Sequence, residues 1–319
     1  MPLAVSGQML DRRLAVLLLT GCNTVYGLDD LAYDAGQPES DPLEVVDELV
    51  VEAADVVTGQ APAPLPPEDL PPELVDRELV VRYFIDEAQS GSSPETLDDA
   101  ADPLVGHPVA LQLQYDDVDS DERLAFTLTN ENRGLSWAHA AHDARASVLV
   151  EGTKLHETLD GTTAATLEAV INIDAVTTYH SRIVHFGDGE KSGYLTVSSD
   201  GDDSLNVYWQ DVKLGNWSVP FIGGRHVIHV VIDTSLEAPD QRMKLYLDGD
   251  DSVEPTDSMA PDRDDRLELP EDSYFVLGNR EIGDRSFEGV LHYAAVYAAA
   301  LTVDEVGDNA RELMVRDDR

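Results

Sequence analysis

Tyr208, Trp209 and Trp217 are the residues of this sequence best suited to holding a ligand. The chain has 3 tryptophans, and two of them flank residues 211–215, a segment predicted to form a turn. An exposed aromatic ring offers an apolar face on which the CH groups of a sugar can stack, beside polar groups that bind its hydroxyls. These three residues are therefore candidate ligand-binding residues. The alternative is structural: Trp209 faces the core of a domain and Trp217 covers the edge of that core.

Loop aspartates form a second set of candidates, for a calcium ion. Residues 187–190, 200–203 and 248–251 are rich in Asp and Gly, and Ca²⁺ prefers the carboxylate and carbonyl oxygens that such loops supply. The candidate ligands are Asp188, Asp200, Asp202, Asp248 and Asp250. None of the loops has the ordered spacing of a dedicated calcium loop, and Asp and Gly are also common turn residues. The sequence therefore permits calcium as a cofactor without requiring it.

Cys22 is the single cysteine of the chain, so no intramolecular disulfide can form. It follows two arginines, the apolar run 14–19 and two small residues, which is the order of parts in a signal peptide. The run is much shorter than the roughly 20 residues that span a bilayer. Residues 19–22 resemble a bacterial lipobox, and this resemblance implies cleavage before Cys22 and attachment of a lipid to its sulfur. Translation could begin at Met1 or at Met9.

Four segments are predicted along the chain: a signal peptide (1–21), a tether with the lipidated Cys22 (22–76), a globular domain (77–314) and a short tail (315–319). Residues 62–72 carry six prolines, and no basic residue lies between Cys22 and Arg77. Proline fixes φ and removes hydrogen-bond donors, while like charges repel one another. The tether is therefore predicted to be extended and disordered, holding the domain away from a membrane.

The formal net charge is −42, from 63 acidic and 21 basic residues. Such a chain lacks the Lys and Arg surface that neutralises phosphates and releases their counterions. The composition therefore excludes nucleic acid as a partner. It also disfavours direct adsorption to anionic headgroups, so contact with a membrane is predicted through the lipid anchor alone.

Alternating apolar and polar residues from Arg77 onward predict strands separated by Asp/Gly turns. The predicted strands are 79–85, 109–115, 124–128, 167–173, 182–186, 194–197, 205–209, 227–232, 243–248, 274–277 and 290–297. Helical periodicity is found only at the end, after Thr302 as N-cap. The pattern predicts an all-β, antiparallel two-sheet sandwich with a short C-terminal helix.

The end of the domain carries the most informative motif. Residues 287–291 (FEGVL), 296–297 (VY) and 300–302 (ALT) resemble the C-terminal signature of bacterial laminin G-like, concanavalin A-like jelly rolls. Stretches similar to other strands of that family occur in the same order at 80–87, 166–169 and 245–249. The resemblance covers roughly residues 77–314 and implies a jelly roll. Residues 292–293 are His-Tyr where the family usually has Asp-Glu, which weakens the transfer of any acid-based ligand site.

The leading hypothesis is a non-catalytic module that binds a glycan or a cell-surface protein, held at the cell envelope by the lipid on Cys22 and facing the periplasm or the exterior. Two alternatives remain: a glycan hydrolase with an unrecognised carboxylate pair, and a structural envelope component. Hydrolases of this fold use a Glu-x-Asp-x-x-Glu strand, which the sequence lacks. His139 and His142 lack the intervening glutamate of a zinc protease and are interpreted as loop residues.

Overall fold

A computed structural model describes residues 73–87, 94–102, 106–115, 125–126, 133–137, 144–173, 180–189, 192–200, 204–218, 224–251 and 254–316. The signal peptide, Cys22, the tether up to residue 72 and Asp202 lie outside these ranges, so what the sequence indicates for them stays a prediction.

The described residues are mostly strands, with two α-helices and a short 3₁₀ helix. The strands are β1 (Leu79–Phe84), β2 (Thr96–Leu97), β3 (Leu111–Tyr115), β4 (Ala125–Phe126), β5 (Leu135–Ser136), β6 (Ala144–Leu149), β7 (Ala164–Ile173), β8 (Ser181–Gly187), β9 (Leu195–Asp200), β10 (Ser204–Trp209), β11 (Val212–Ser218), β12 (Arg225–Asp233), β13 (Met243–Leu247), β14 (Asp257–Ser258), β15 (Tyr274–Leu277) and β16 (Gly289–Tyr297). The helices are α1 (Lys154–Leu159) and α2 (Val303–Val315), and the 3₁₀ helix is Pro239–Gln241.

Within the described residues the strands form two antiparallel sheets. The seven-stranded sheet has the order β13-β12-β7-β16-β5-β4, and β1 pairs with the C-terminal half of β16 while β5 pairs with its N-terminal half. The nine-stranded sheet has the order β14-β11-β10-β9-β8-β15-β6-β3-β2. The predicted all-β, antiparallel two-sheet sandwich is confirmed.

The core lies between the two sheets and is built from the inward half of each alternating strand. In β7 the inward residues include Leu167 and Ile171, and in β10 they include Leu205 and Val207. Each of these side chains is at most 2% exposed. Full burial of such a side chain stabilises the fold by roughly 1.5–3 kcal/mol, so the apolar alternation decides which face of each strand turns inward.

Helix α2 packs on the outer face of the seven-stranded sheet. Thr302 caps its N-terminus in a capping box with Glu305, as the sequence predicts for Thr302. Arg77 Nε donates to Glu305 Oε1 at 2.7 Å, and this hydrogen bond lowers the pKa of Glu305 to about 2. The helix buries Val306, Ala310 and Leu313 against the sheet. Among the described residues, no helix has both the length and the hydropathy needed to span a bilayer.

Two local predictions are wrong. Helix α1 forms in addition to the C-terminal helix, because its 6 residues are too few for a helical periodicity to be recognised in the sequence. Residues 211–215 are not a turn: the turn is Gln210-Asp211, with φ of 53° and 64°, and β11 begins directly after it. The correction places Trp217 inside a strand, opposite Leu205 of β10.

Candidate functional site

The aromatic candidates lie on the nine-stranded sheet and are buried. Trp209 is 1% exposed, Trp217 is 2% exposed and Tyr208 is 6% exposed. Both indole rings belong to the core between the sheets, and Trp209 Nε1 donates to Asp265 Oδ2 at 3.0 Å. Tyr208 points to the opposite, outer face, where its ring centroid is 5.1 Å from the guanidinium of Arg182. This burial contradicts the expectation that the rings are exposed and favours the structural alternative.

An open cleft of about 270 Å³ lies above Trp217, at one edge of the sandwich. We call it the edge cleft. One wall is β13 with the 3₁₀ helix before it, and the other is the segment 254–260, which contains β14. Trp217 of β11 and Leu245 of β13 are buried beneath the opening and form its floor. The cleft therefore opens where the edge strands of the two sheets meet.

Arg242 fixes the two walls of the edge cleft relative to each other. Its side chain is buried, and its guanidinium donates to three backbone carbonyls: Leu236 O at 2.7 Å, Glu237 O at 2.9 Å and Pro261 O at 3.0 Å. The first two carbonyls precede β13 and the third follows the segment 254–260. The planar guanidinium therefore joins the segments on both sides of the cleft through these three hydrogen bonds.

The lining of the edge cleft combines apolar surfaces with polar side chains. Pro239, Met243, Pro255, Met259 and Ala260 supply the apolar part, and Met259 is 57% exposed. The polar part consists of three carboxylates, one amide and one ammonium group. These belong to Asp240, Asp251, Glu254, Gln241 and Lys244. The sequence did not indicate this site, because its residues come from three segments that share no motif.

Residues 149–307 match a family model described as the concanavalin A-like lectin/glucanases superfamily. The matched segment includes both walls of the edge cleft. The domain belongs to this superfamily. The superfamily joins lectins, which bind carbohydrate, with glucanases, which hydrolyse it. No match was found among the curated proteins.

Solved structures resemble the lectin/glucanase domain at low identity. Trypanosoma rangeli sialidase in complex with 2,3-difluorosialic acid has a TM-score of 0.47 and 15% identity, covering 75% of this chain and 33% of the sialidase. Domain 4 of AbnA, an extracellular arabinanase from Geobacillus stearothermophilus in complex with arabinotriose, has a TM-score of 0.48 and 15% identity, covering 74% and 100%. The SAP-like pentraxin of Limulus polyphemus has a TM-score of 0.37 and 19% identity, covering 50% and 76%. The chain spans about a third of the sialidase chain.

Asp248 of the lectin/glucanase domain has a structural role that does not fit a calcium ligand. Asp248 and Gly249 have φ of 54° and 84° and form the two-residue turn that ends β13. Asp248 Oδ1 accepts from Val227 N at 2.8 Å, and its Oδ2 lies 2.9 Å from His226 Nδ1. Both carboxylate oxygens are therefore already engaged in holding this turn against β12.

The other calcium candidates are not brought together by the described structure. Asp188 Oδ2 accepts from Tyr194 OH at 3.4 Å, and Asp250 is exposed beside the turn that ends β13. Asp200 ends β9, and Asp202 lies outside the described residues. Among the described residues, no three His, Cys, Asp or Glu side chains are placed to hold a metal ion. Asp188, Asp248 and Asp250 are therefore not placed as a common calcium site, and calcium binding by Asp200 and Asp202 stays a prediction.

A buried polar cluster, centred on Glu168, lies between the outer face of the seven-stranded sheet and α2. Glu168 and His229 are both 0% exposed, and Glu168 Oε1 lies 2.7 Å from His229 Nε2. Asn309 Nδ2 donates to Oε1 at 2.9 Å, while Tyr297 and Tyr293 donate to Oε2 at 2.8 and 3.1 Å. Burial acts to raise the pKa of Glu168, but the charge of His229 and these hydrogen bonds outweigh it and lower the pKa.

Arg82 extends the Glu168 cluster to the start of the domain. Its Nε donates to Tyr293 OH at 2.9 Å, its Nη1 to Asp76 Oδ1 at 2.7 Å and its Nη2 to Val75 O at 2.8 Å. Val75 N donates in turn to Asn309 Oδ1 at 2.8 Å. The cluster therefore fastens residues 75–76 and α2 to the sheet. In the sequence, the one indication of this buried cluster is His229, the single polar residue in the apolar run 227–232.

Proposed function

We propose that this domain binds a glycan without catalysis and that the glycan lies in the edge cleft. The observation that carries the proposal is the pairing of an apolar surface with hydrogen-bonding groups in one open cleft of a concanavalin A-like lectin/glucanase domain. A sugar ring has apolar CH faces and a rim of hydroxyls. Pro239, Pro255 and Met259 can pack against the CH face, while Gln241 and Asp240 can bind hydroxyls.

The charge of the edge cleft favours an uncharged glycan. Asp240, Asp251 and Glu254 supply three carboxylates, and Lys244 supplies one ammonium group. Lys244 Nζ lies 3.6 Å from Asp251 Oδ2, so part of its charge is already compensated. A uronic acid or a sulfated sugar would meet like charge in this cleft. The volume of about 270 Å³ suits a short stretch of sugar rather than a long chain.

The exposure of the same carboxylates supports binding over hydrolysis. A glycosidase places two carboxyl groups on either side of the scissile bond and keeps one of them protonated through burial. Asp240, Asp251 and Glu254 are all exposed to solvent. They are suited to accept hydrogen bonds from hydroxyls.

Substitution of exposed cleft residues tests this proposal without disturbing the core. The double variant Gln241→Ala/Met259→Ala removes one amide and one apolar contact, and we expect its affinity for a neutral glycan on an array to fall by about tenfold or more. Met314→Ala is the matched control, because Met314 is 41% exposed on α2, outside the cleft. Equal loss in both variants, or none in the double variant, would reject the cleft as the site. Release of reducing sugar from a bound glycan would favour the hydrolase.

We also propose that the domain is displayed at the cell envelope by a lipid on Cys22. The support comes from the sequence alone: a basic pair, a short apolar run and a lipobox-like segment precede Cys22. In that setting the ligand is a glycan, or a cell-surface protein, outside the cytoplasm.

A further inference from the structure

The outer face of the nine-stranded sheet is polar and yet buried. We call the outward residues of its three central strands the polar face: Arg182 and His185 on β8, Thr196 and Ser198 on β9, and Asn206 and Tyr208 on β10. Each of them is at most 6% exposed. Outward positions of an antiparallel sheet are normally either apolar and packed or polar and solvated. Buried polar side chains therefore require partners here.

Several hydrogen-bonding atoms of the polar face have no such partner. They are Arg182 Nε and Nη1, His185 Nε2 and Ser198 Oγ. Arg182 and Ser198 occupy opposite positions in the register of β8 and β9, where Cβ atoms are roughly 4.5–5.5 Å apart. A buried donor without an acceptor destabilises a fold by about 1–3 kcal/mol, and more when it is charged. Three such side chains on adjacent strands indicate a missing acceptor.

His185 is held in a fixed position by its neighbours. Its Nδ1 lies 2.9 Å from Thr196 Oγ1, and its ring lies between Gly187 and Gly193. A Cβ on Gly193 would be 2.8 Å from His185 Nδ1, and a Cβ on Gly187 would overlap Nε2, so both positions need glycine. Burial lowers the pKa of His185 well below its usual value, so the ring is neutral at pH 7. When the Thr196 hydroxyl donates to Nδ1, the ring proton lies on Nε2, which is then a donor.

The loop 278–286 places two arginines, Arg280 and Arg285, near Arg182. Asn279 Oδ1 accepts from the backbone N–H groups of Arg280 and Arg285, both at 2.9 Å, and Arg285 O accepts from Arg182 N at 2.9 Å. Asp284 pairs with Arg280 and offsets one of these charges. Burial, together with repulsion from Arg280 and Arg285, lowers the pKa of Arg182. Glu281 lies in the same loop, so the formal charge of the loop is zero and the charge available to a ligand here is that of Arg182.

We propose that the polar face binds an oxyanion, a carboxylate or a sulfate, through Arg182, Ser198 and His185. The anion accepts one charge-assisted hydrogen bond from the Arg182 guanidinium and a second from the Ser198 hydroxyl. His185 Nε2 supplies the third donor. The group could be a free ion or the acidic group of a sugar. This site is separate from the edge cleft and has the opposite charge preference.

Thermal unfolding with defined probes tests the oxyanion site. Sodium sulfate, sodium galacturonate and uncharged galactose are added at constant ionic strength, balanced with sodium chloride, because any salt screens the repulsion within a chain of net charge −42. A ligand that binds only the folded state must raise the melting temperature. We expect sulfate, galacturonate or both to raise it by more than galactose does. The better of the two acidic probes identifies the source of the anion.

Two variants assign the effect to the polar face. Ser198→Ala removes an unpartnered hydroxyl, so without anion its melting temperature should equal or exceed that of the wild type, while its anion affinity falls by about tenfold. Arg182→Lys keeps a charge but loses the fixed N–H directions of the guanidinium and should weaken binding further. Ser147→Ala, on the same sheet at β6 and equally buried, should respond like the wild type. No stabilisation by either acidic probe, an equal effect of galactose, or an unchanged response of Ser198→Ala would overturn the proposal. Loss of the anion response would leave the proposal for neutral glycans in the edge cleft unaffected.

Discussion

Glu168 is an ionised carboxylate held in the interior of the protein by groups that satisfy both of its oxygens. Its partners His229, Tyr297 and Asn309 come from β12, β16 and α2, which are far apart in the sequence. Removing a carboxylate from water costs several kcal/mol, so the carboxylate is tolerated only when all of these partners are in place. The residue therefore joins three elements through one buried charge.

Glu168→Gln should destabilise the domain by about 3–5 kcal/mol, because it leaves the positive side of the cluster without its counter-charge. Urea unfolding at pH 7 measures the loss, and Glu157→Gln, at an exposed position of α1, is the matched control. Since the pKa of Glu168 is lowered in the folded protein, its stabilising effect is present above the unfolded pKa and is lost as the pH falls through the folded pKa. The difference between wild type and Glu168→Gln should therefore shrink at acid pH. A loss below about 1 kcal/mol at pH 7 would show that the carboxylate is not the centre of the cluster.

The sequence singled out the aromatic residues but not their environment. The alternation of β10 places Trp209 on the same face as Leu205 and Val207, which is the core face. The side occupied by Trp217 depends on a register shift between β10 and β11 at Val207 and Tyr208, which places Trp217 opposite Leu205 on that same face. The edge cleft could not be predicted, because its two sides are joined by Arg242 and three backbone carbonyls.

The residue types in the turns explain which strands could be predicted from the sequence. The Asp248-Gly249 turn has the composition typical of a two-residue hairpin with positive φ at both positions, and the sequence placed the end of β13 there. The Gln210-Asp211 turn also has positive φ at both positions but contains no glycine, so its sequence gives no comparable signal. β11 was missed for this reason. β6, with the sequence ARASVL, was missed because it has few β-branched residues.

Glu87 links the ends of two elements and gives the domain a pH-dependent stability. Glu87 follows β1, a strand of the seven-stranded sheet. Its Oε1 accepts a hydrogen bond at 2.9 Å from the backbone N–H of Asp98, which follows β2 of the nine-stranded sheet. Glu87 therefore joins a strand of each sheet. Its Oε2 is buried with no hydrogen-bond partner. Burial raises the pKa of Glu87 to about 7, from an ordinary value of 4.5. Ionisation therefore works against the fold.

A carboxyl group whose pKa is raised by folding stabilises the folded state while it is protonated. This contribution is complete below the unfolded pKa and is lost as the pH rises through the folded pKa. Relative to Glu87→Gln, the wild type should lose up to about 3 kcal/mol of stability between pH 4.5 and pH 8. Urea unfolding across this range measures the difference, and the exposed Glu95→Gln serves as control. A constant difference between wild type and Glu87→Gln would contradict the prediction.

On the scale of the whole molecule, the two proposed sites differ in the charge of their side chains. The edge cleft carries three carboxylates and one ammonium group, whereas the polar face has Arg182 beside Arg280 and Arg285. In a chain of net charge −42, an anion reaches the polar face only against the long-range field, so its binding should weaken at low ionic strength. A neutral glycan in the edge cleft is not subject to this effect.

The net charge also sharpens the test of the predicted anchor. An acidic chain is repelled by anionic headgroups, so membrane association of the wild type has to come from a lipid on Cys22. Expressed in a bacterial host, Cys22→Ser should lose fatty-acid labelling and move from the detergent phase to the aqueous phase, because a diacylglycerol supplies two of the chains that stable anchoring requires. Thr58→Ser, within the tether, is the control and should partition like the wild type. Unchanged partitioning of Cys22→Ser would refute the lipoprotein proposal and leave the lectin/glucanase domain without an assigned location.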